Sequence, residues 1–389
     1  MKYDFDRTLD HRKDASYRWE QTEGRDDILG MGTADLDFAC APCVKEACAR
    51  VLEENTYNYR KKTGEYFDAV KSFYRRNYGL SVKEEWLSDS PGTLGAIRMA
   101  VDIFSEKGDY VLMQAPHFDP LKVVIEGAGR RLLTNPMIRK GDRYELDLGD
   151  FEEKIRSCRP AIFLLVNPHN PSGKVFSQEE LEKMVEICER YEVKILSDEV
   201  HCLVMYENAR HIPILAVSEK AKKISIQVMS MSKGFNTMSL PHAILAIADP
   251  ELRKIWNPEF ESYWYHYAVN SFALAAVTTI AKGEADEWQK ELTAYLKRNL
   301  DTVRAFAEEK RLPLTFVLPQ AGFLLWIDCK EAWPDEREPA RRFLEEAGIS
   351  MLEGAEFGEE GNGFVRMNFA VTHSVLTEAL DRIGRMFSR

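Results

Sequence analysis

Five short runs of β-branched and aliphatic residues, separated by helical stretches, set the architecture that this chain can adopt. They lie at residues 110–113, 161–166, 193–196, 224–228 and 243–248. Strands that are apolar along their whole length are buried on both faces, as in a mostly parallel sheet flanked by helices. The sequence therefore predicts an α/β fold with such a sheet at its centre.

One helix between two of these runs carries its own start signal. Ser177 and Glu180 form the pattern of a capping box, and apolar residues repeat behind them at helical spacing until about Tyr191. A strand precedes this helix and another follows it, which makes a right-handed crossover unit. Functional groups of such a unit are expected at the carboxyl ends of its strands.

The character of the sequence changes after about residue 275. Long charged helical stretches at 287–311 and 339–347 alternate with strand candidates at 315–318, 323–328 and 363–369. With 389 residues, the chain also exceeds the ~100–200 residues of one typical domain. We therefore expect an N-terminal segment, 1–45, associated with the small domain, a large domain, 46–275, and a smaller α+β C-terminal domain, 276–389.

Composition excludes several classes of partner. The formal net charge is −11 and no block of basic residues stands out, which argues against nucleic acid, because phosphate binding needs a concentrated positive face. The first residues lack an apolar signal core, and no stretch approaches the ~18 apolar residues of a membrane span. Seven cysteines, an odd number scattered along the chain, suit reduced thiols, so we expect a cytoplasmic protein.

One pair of cysteines has the spacing of a redox or metal site. Cys40 and Cys43 form a C-x-x-C pattern, but no second C-x-x-C or H-x-x-x-H accompanies it. Pro42 between them suits the first turn of a helix. We therefore interpret Cys40 and Cys43 as part of the start of a helix, not as metal ligands or a redox pair, and we predict no metal site.

Three polar segments follow predicted strands. Asn170 lies in N-P-H-N-P-S-G, Asp198 in S-D-E-V-H and Lys233 in S-M-S-K. Each is weak evidence alone, because lysines mostly solvate a surface and a carboxylate after a strand is equally a helix cap. Together they suit a Schiff-base lysine and an acid that keeps a pyridine nitrogen protonated.

The order N-P-x-N-P-[ST]-G, S-D-E-x-H and S-x-S-K resembles that of the pyridoxal-phosphate enzymes of fold type I, over nearly the whole chain. The closest likeness is to the MalY/PatB group of carbon–sulfur β-lyases, often called cystathionine β-lyases, within aminotransferase class I/II. The segments that carry it are 34–38, 115–119, 197–201, 232–236, 270–275 and 363–368. The resemblance implies a mostly parallel central sheet flanked by helices, a smaller α+β C-terminal domain, and pyridoxal 5'-phosphate as the cofactor of the large domain.

The resemblance also implies roles for individual residues. Lys233 is the expected catalytic residue, which binds the cofactor and moves the α-proton, and Asp198 pairs with the ring nitrogen. The other expected cofactor contacts are Gly92, Thr93, Leu94, Ser230 and, from a neighbouring subunit, Tyr59 at the phosphate, Phe118 on the ring face, and Asn170 and His201 at the phenolic oxygen. The expected substrate contacts are Arg366 for the α-carboxylate, Asp37 and Asn170.

The chain departs from the family pattern in four places. Pro241 replaces the phosphate-binding arginine of many aminotransferases, which the lyase group also often lacks, and Phe118 replaces a tyrosine. His242 stands where a small residue is usual, and it either packs in its strand or alters the reaction. The aromatic run at 263–267 is unusual as well. We interpret it as packing at a subunit interface, with substrate recognition as the alternative.

The expected activity is cleavage of cystathionine or a related L-cysteine S-conjugate to a thiol, pyruvate and ammonia. An aminotransferase, racemase or β-decarboxylase acting on a small amino acid is the first alternative, because the early steps of these reactions use the same residues. A regulatory protein that binds the cofactor is the second. The resemblance further implies a homodimer with a small-molecule amino-acid substrate.

Overall fold

The computed structural model describes residues 2–9, 11, 14, 16–22, 25–206, 209–263 and 270–388. Its strands are β1 Leu29–Gly30, β2 Leu87–Ser90, β3 Tyr110–Ala115, β4 Arg131–Pro136, β5 Ile138–Lys140, β6 Arg143–Glu145, β7 Ile162–Val166, β8 Lys194–Asp198, β9 Ser225–Met229, β10 Ala243–Ala246, β11 Thr315–Val317, β12 Leu324–Asp328, β13 Ile349–Ser350, β14 Leu352–Glu353 and β15 Phe364–Asn368. Its helices are α1 Pro42–Glu53, α2 Gly64–Tyr78, α3 Thr93–Phe104, α4 Asp119–Gly127, α5 Leu148–Cys158, α6 Gln178–Arg190, α7 Ile214–Val217, α8 Glu219–Ile224, α9 Ser232–Phe235, α10 Pro250–Ser262, α11 Ser271–Lys282, α12 Asp286–Lys310, α13 Pro339–Arg342 and α14 His373–Met386.

A seven-stranded sheet forms the centre of the molecule, in the order β2-β10-β9-β8-β7-β3-β4. Strand β10 runs antiparallel to both of its neighbours, and the other pairs are parallel. Strands β7, β9 and β10 are buried at every residue, and hydrophobic clusters cover both faces of the sheet. The predicted α/β fold and its five strands are confirmed, with ends displaced by at most two residues.

The two strands of this sheet that the sequence did not predict are its edges, β2 and β4. The first reads L-S-D-S and the second R-L-L-T-N-P, and both are partly exposed. An edge strand is covered less completely than a central one, so its residues need not be continuously apolar. The rule that identifies the buried strands therefore does not identify the edges.

The predicted capping box is present at the start of α6. The backbone N–H of Glu180 donates to Ser177 Oγ at 3.2 Å, and the Ser177 N–H donates to Glu180 Oε2 at 2.8 Å. The helix connects β7 to β8, which pair in parallel from Ile162↔Lys194 to Val166↔Asp198. This crossover brings the residues after β7 beside Asp198 at the carboxyl end of β8.

A second, antiparallel sheet has the order β11-β12-β15-β14, and its strands confirm the three candidates at the C-terminal end. The helix predicted at 339–347 is α13 followed by a π-helical turn, Phe343–Ala347. Strand β1 from the N-terminal part of the chain pairs in parallel with β13. The segment that follows β1 is thereby placed next to β15 and the site described below.

The two cysteines of the C-x-x-C pattern lie at the start of helix α1, Cys40 just before it and Cys43 in its first turn. Pro42 lies in the first turn of this helix, as predicted, and all seven cysteines are free thiols. Among the described residues, no group of three or more potential metal ligands gathers. None of the described helices combines the length and the apolar character that crossing a membrane requires.

Candidate active site

The site lies at the carboxyl ends of β7, β8 and β9, which are neighbours in the sheet. Backbone hydrogen bonds continue beyond the strands: Asn167 N donates to Asp198 O at 3.0 Å, and Glu199 N donates to Val228 O at 2.8 Å. These bonds align the three polar segments that the sequence singled out. The structure therefore gathers them at one edge of the sheet.

Lys233 lies in α9, the short helix that follows β9, and its ammonium group donates to the carbonyl oxygen of Ala34. Burial lowers the pKa of Lys233 to about 8, and the nearby Arg366 charge acts in the same direction. The carboxylates of Asp35 and Asp198 partly oppose this effect. A lysine with such a pKa is a free amine much more often at neutral pH than a surface lysine is.

Asp198 is the last residue of β8 and is buried. Burial raises the pKa of its carboxyl group to about 7, although the Val200 N–H donates to Oδ1 at 3.2 Å. A buried carboxyl group in this range gains its charge readily when a cation lies beside it. Asp198 can therefore hold a protonated ring nitrogen.

Arg366 lies in the middle of β15 and is only 1% exposed. Its Nη1 donates to Asn170 Oδ1 at 3.2 Å and its Nη2 to Gly32 O at 3.1 Å, while Nε has no partner within the described part of the chain. Burial lowers the pKa of Arg366 to about 10. A buried guanidinium with a free donor is suited to receive a carboxylate.

The helix α3 offers an anion-binding end. Gly92 is its N-cap with φ of 96°, a conformation that favours glycine, and no side chain caps the first turn. Free N–H groups at a helix N-terminus attract a phosphate. Thr93 and Leu94, the other two residues predicted for this role, form the start of the helix.

Two serines lie at the carboxyl ends of strands of the central sheet, Ser90 at the end of β2 and Ser230 directly after β9. The Ser230 hydroxyl donates to the His242 carbonyl at 2.7 Å and accepts from Ser232 N at 3.2 Å. Ser90 Oγ is buried and has no partner among the described residues, and it lies 3.1 Å from where a Cβ on Gly95 would stand. Sequence reasoning missed Ser90 because it missed β2, whose last residue it is.

His201 and Phe118 complete the immediate surroundings. His201 is buried, and burial with the charges of Lys233 and Arg366 lowers its pKa to about 3, so the imidazole is neutral at physiological pH. Phe118 caps α4 and packs half-buried against both hydrophobic clusters. Phe118 is thus fixed at the end of β3, the other neighbour of β7.

Two of the residues that the sequence predicts for the site, Tyr59 and Asp37, do not contact its central residues Lys233 and Arg366. Tyr59 is 88% exposed on the single chain. Asp37 is buried, and burial raises its pKa, with Arg18, His11 and Asp35 as the charges that act on it. Neither has a described hydrogen bond to Lys233 or Arg366.

His242 is buried beside β10, and its Nε2 lies 3.2 Å from the hydroxyl of Tyr66. Burial lowers the pKa of His242 to about 4. Near it, Lys62 forms an ion pair with Asp89 on β2. Apart from Tyr263, which ends α10, the aromatic run at 263–267 lies outside the described residues.

The central sheet is mostly parallel and carries a lysine, a buried acid and a helix N-terminus at its carboxyl edge, while an arginine comes from a second sheet. This arrangement defines a protein of fold type I. The model of the aminotransferase class I and II family matches residues 26–383, and the chain belongs to this family.

Named relatives and solved structures agree with this membership. Cystathionine beta-lyase PatB of Bacillus subtilis (strain 168) is 30% identical over 99% of this chain and 100% of its own length, and Protein MalY of Escherichia coli (strain K12) is 27% identical over 97% of each. A PLP-bound putative aminotransferase from Clostridium difficile 630 has a TM-score of 0.94 at 29% identity, over 99% of this chain and 100% of that chain. The PLP-bound C-S lyase from Staphylococcus hominis has a TM-score of 0.91 at 26% identity, over 100% of this chain and 98% of that chain.

Proposed function

We propose that the protein is a pyridoxal-phosphate-dependent carbon–sulfur β-lyase that cleaves cystathionine or a related L-cysteine S-conjugate to a thiol, pyruvate and ammonia. The observation that carries the proposal is Arg366, buried with a free donor beside Asn170 and in the same site as Lys233. Arg366 suits the carboxylate of an α-amino acid, and the Lys233 amine, whose pKa is lowered to about 8, lies in the same site. The full-length similarity to a cystathionine β-lyase favours elimination from such a substrate.

The residues present fit the cofactor. The uncapped start of α3 and the unpartnered Ser90 hydroxyl suit a phosphate, and Asp198 suits a ring nitrogen. Lys233 is the amine that would hold the aldehyde carbon. When bound, pyridoxal phosphate supplies an electron sink for the charge that develops at the α-carbon of the substrate.

Arg366 binds and orients the substrate. Its guanidinium fork offers two parallel N–H groups to the α-carboxylate, and Asn170 holds the guanidinium from the side. Because Arg366 is buried, this ion pair forms out of water and is correspondingly strong. The carboxylate anchor thus fixes the α-carbon relative to Lys233.

Lys233 moves the proton. The Ala34 carbonyl accepts one N–H of its Nζ and so holds the amine in place. With a pKa near 8, the free amine can take the α-proton and still return it at neutral pH. The neutral His201 nearby leaves the positive charge of the site on Lys233 and Arg366.

Three finer features belong to the proposal. The chain would act as a homodimer in which the exposed Tyr59 reaches the phosphate site of the neighbouring subunit. Its domains would be an N-terminal segment, 1–45, a large domain, 46–275, and a small domain, 276–389. Free thiols throughout support a reducing compartment such as the cytoplasm.

Purified protein incubated with cystathionine, without any keto-acid acceptor, tests the activity. We expect pyruvate to form, and we expect none with the Lys233→Ala variant. Turnover only when an acceptor is added would assign an aminotransferase instead, a reaction favoured by the likeness to the putative aminotransferase from Clostridium difficile. Bound cofactor without any turnover would leave a regulatory binding role.

A further inference from the structure

The segment at residues 32–38, which we name the strap, faces the site with its backbone carbonyls. Gly32 O accepts from Arg366 at 3.1 Å, and Ala34 O accepts from Lys233. Asn368 Nδ2 donates to the carbonyls between and after them, those of Thr33 at 2.6 Å and Asp35 at 2.7 Å. Four consecutive carbonyls of the strap therefore contact side chains of the site or of β15.

Both ends of the strap are fixed as well. Before it, Met31 O accepts from the Asn368 N–H at 2.7 Å. At its other end, Phe38 O accepts from the Nδ2 of Asn236 at 2.6 Å, and Asn236 is the third residue after Lys233. The strap is thus attached to β15 on one side and to the lysine segment on the other, so its position decides how Ala34 meets Lys233.

Arg18, from outside the strap, holds it in this position. The side chain is 2% exposed; its Nη1 donates to Gly30 O at 2.8 Å, and its Nη2 donates to Asp35 O at 3.0 Å and to the Asp35 carboxylate. A Cβ on Gly30 would overlap the Arg18 carbonyl. The two backbones are therefore in close contact, and the planar guanidinium bridges the end of β1 to the middle of the strap.

We propose that Arg18 and Asp35 form a positioning pair: Arg18 fixes the strap through Asp35 so that the adjacent Ala34 carbonyl holds the Lys233 amine, and it balances the charge that Asp35 brings near this amine. The inference rests on the proposed function, because it concerns the proton that Lys233 carries. Neither residue touches the reacting atoms in this arrangement. Both act through Ala34 and Lys233.

Charge gives the pair a signature that a purely structural ion pair lacks. The charged and titratable groups facing Lys233 are Asp35, Asp198, Arg366 and His201, and those facing Asp35 are Arg18, Asp37 and Lys233. Asp35 raises the pKa of the Lys233 nitrogen, and Arg18 offsets Asp35. Removing Arg18 should therefore raise this pKa, and removing the Asp35 charge should lower it.

The test compares the holoenzyme variants Arg18→Met and Asp35→Asn with the wild type. The first readout needs no turnover: the pH midpoint of the absorbance change of the bound cofactor, which reports the proton on the Lys233 nitrogen. We expect Arg18→Met to raise the midpoint and Asp35→Asn to lower it, each by on the order of 0.5–1 pH unit. The second readout is kcat, expected to fall roughly 10- to 100-fold in Arg18→Met because the amine is misplaced.

Two further variants sharpen the test. Arg18→Lys keeps the charge without the fork, so the midpoint should return toward the wild-type value while kcat stays low. Arg25→Met removes an exposed arginine of the same N-terminal region, whose ion pair with Asp27 is 56% and 66% exposed, and should leave both readouts unchanged.

The inference would be overturned if the pH midpoints of Arg18→Met and Asp35→Asn were the same as each other, or if both shifted in the same direction from the wild-type midpoint. If Arg18→Met does not fold, Asp35→Asn decides alone: a lowered midpoint supports the pair, and an unchanged or raised one refutes it. A wild-type protein with no cofactor absorbance or no acceptor-independent pyruvate would instead refute the proposed function.

Discussion

Arg366→Met should separate stability from activity. Burial lowers the pKa of Arg366 from its ordinary value to about 10, and at about 1.4 kcal/mol for each pKa unit this shift corresponds to ~3 kcal/mol of destabilisation by the buried charge. The substitution removes this cost. It also removes the hydrogen bonds to Asn170 and Gly32, which contribute roughly 1.5–3 kcal/mol each because the donor is charged. The free energy of unfolding should therefore change by less than ~3 kcal/mol.

Substrate recognition should suffer much more. Losing one partner of a buried ion pair costs about 2–5 kcal/mol, which corresponds to a fall in kcat/KM of roughly 30- to 5,000-fold. Urea unfolding measures the first quantity and initial rates of pyruvate formation measure the second. Arg341→Met is the matched control, because Arg341 lies in the same part of the chain and is 68% exposed in its ion pair with Glu345.

Two results would refute this reasoning. An unchanged kcat/KM in Arg366→Met would show that the substrate carboxylate binds elsewhere. A loss of more than ~5 kcal/mol of stability would show that the guanidinium is needed by the fold itself. The cofactor absorbance of the variant should stay at the wild-type level, since Arg366 is not among the groups that fit the cofactor.

Three other substitutions test the site and its support. Lys233→Ala should abolish the absorbance that the cofactor has when it is bonded to this lysine, together with at least most of the turnover, whereas Lys183→Ala at an exposed position should retain both. Glu199→Ala should lower the free energy of unfolding, measured by urea unfolding, by about 3–5 kcal/mol. The reason is that His211, Gln227 and the backbone of Ile214 all donate to this buried carboxylate. A loss of stability below ~1 kcal/mol would contradict this prediction. Burial lowers the pKa of His242 from 6.5 to about 4, so the unfolded chain binds a proton in this range that the folded chain does not. Stability should fall as pH drops from 6.5 toward 4, by up to ~3 kcal/mol from this residue, and His242→Asn should flatten that dependence.

Side-chain patterns in the sequence predicted the central strands and the site residues at their carboxyl ends. Asn170 and Lys233 follow central strands and Asp198 ends one, and a central strand is recognisable because both of its faces are buried. Edge strands such as β2 are not recognisable in this way, and Ser90 was missed with it. The sequence therefore located the centre of the site better than its phosphate-binding side.

Backbone groups and distant partners could not be predicted. The carbonyls of Gly32 and Ala34 contact Arg366 and Lys233, but a carbonyl is present at every residue and leaves no mark in the sequence. Arg18 reads as one more basic residue, since only the folded chain shows that it is buried against Asp35. Arg366 was found through the family resemblance, and its free Nε through the structure.

The pairing of the strap with β15 has a consequence for how the protein is made. Gly32 and Arg366 are 334 residues apart in sequence, and Thr33 and Asn368 are 335 apart. A ribosome releases the early part of a chain long before the late part, and contacts between residues so far apart in sequence form slowly. The site can therefore be completed only after β15 has been made, so ribosome-bound chains that stop short of β15 would lack the Arg366 carboxylate receptor even with the central sheet already assembled.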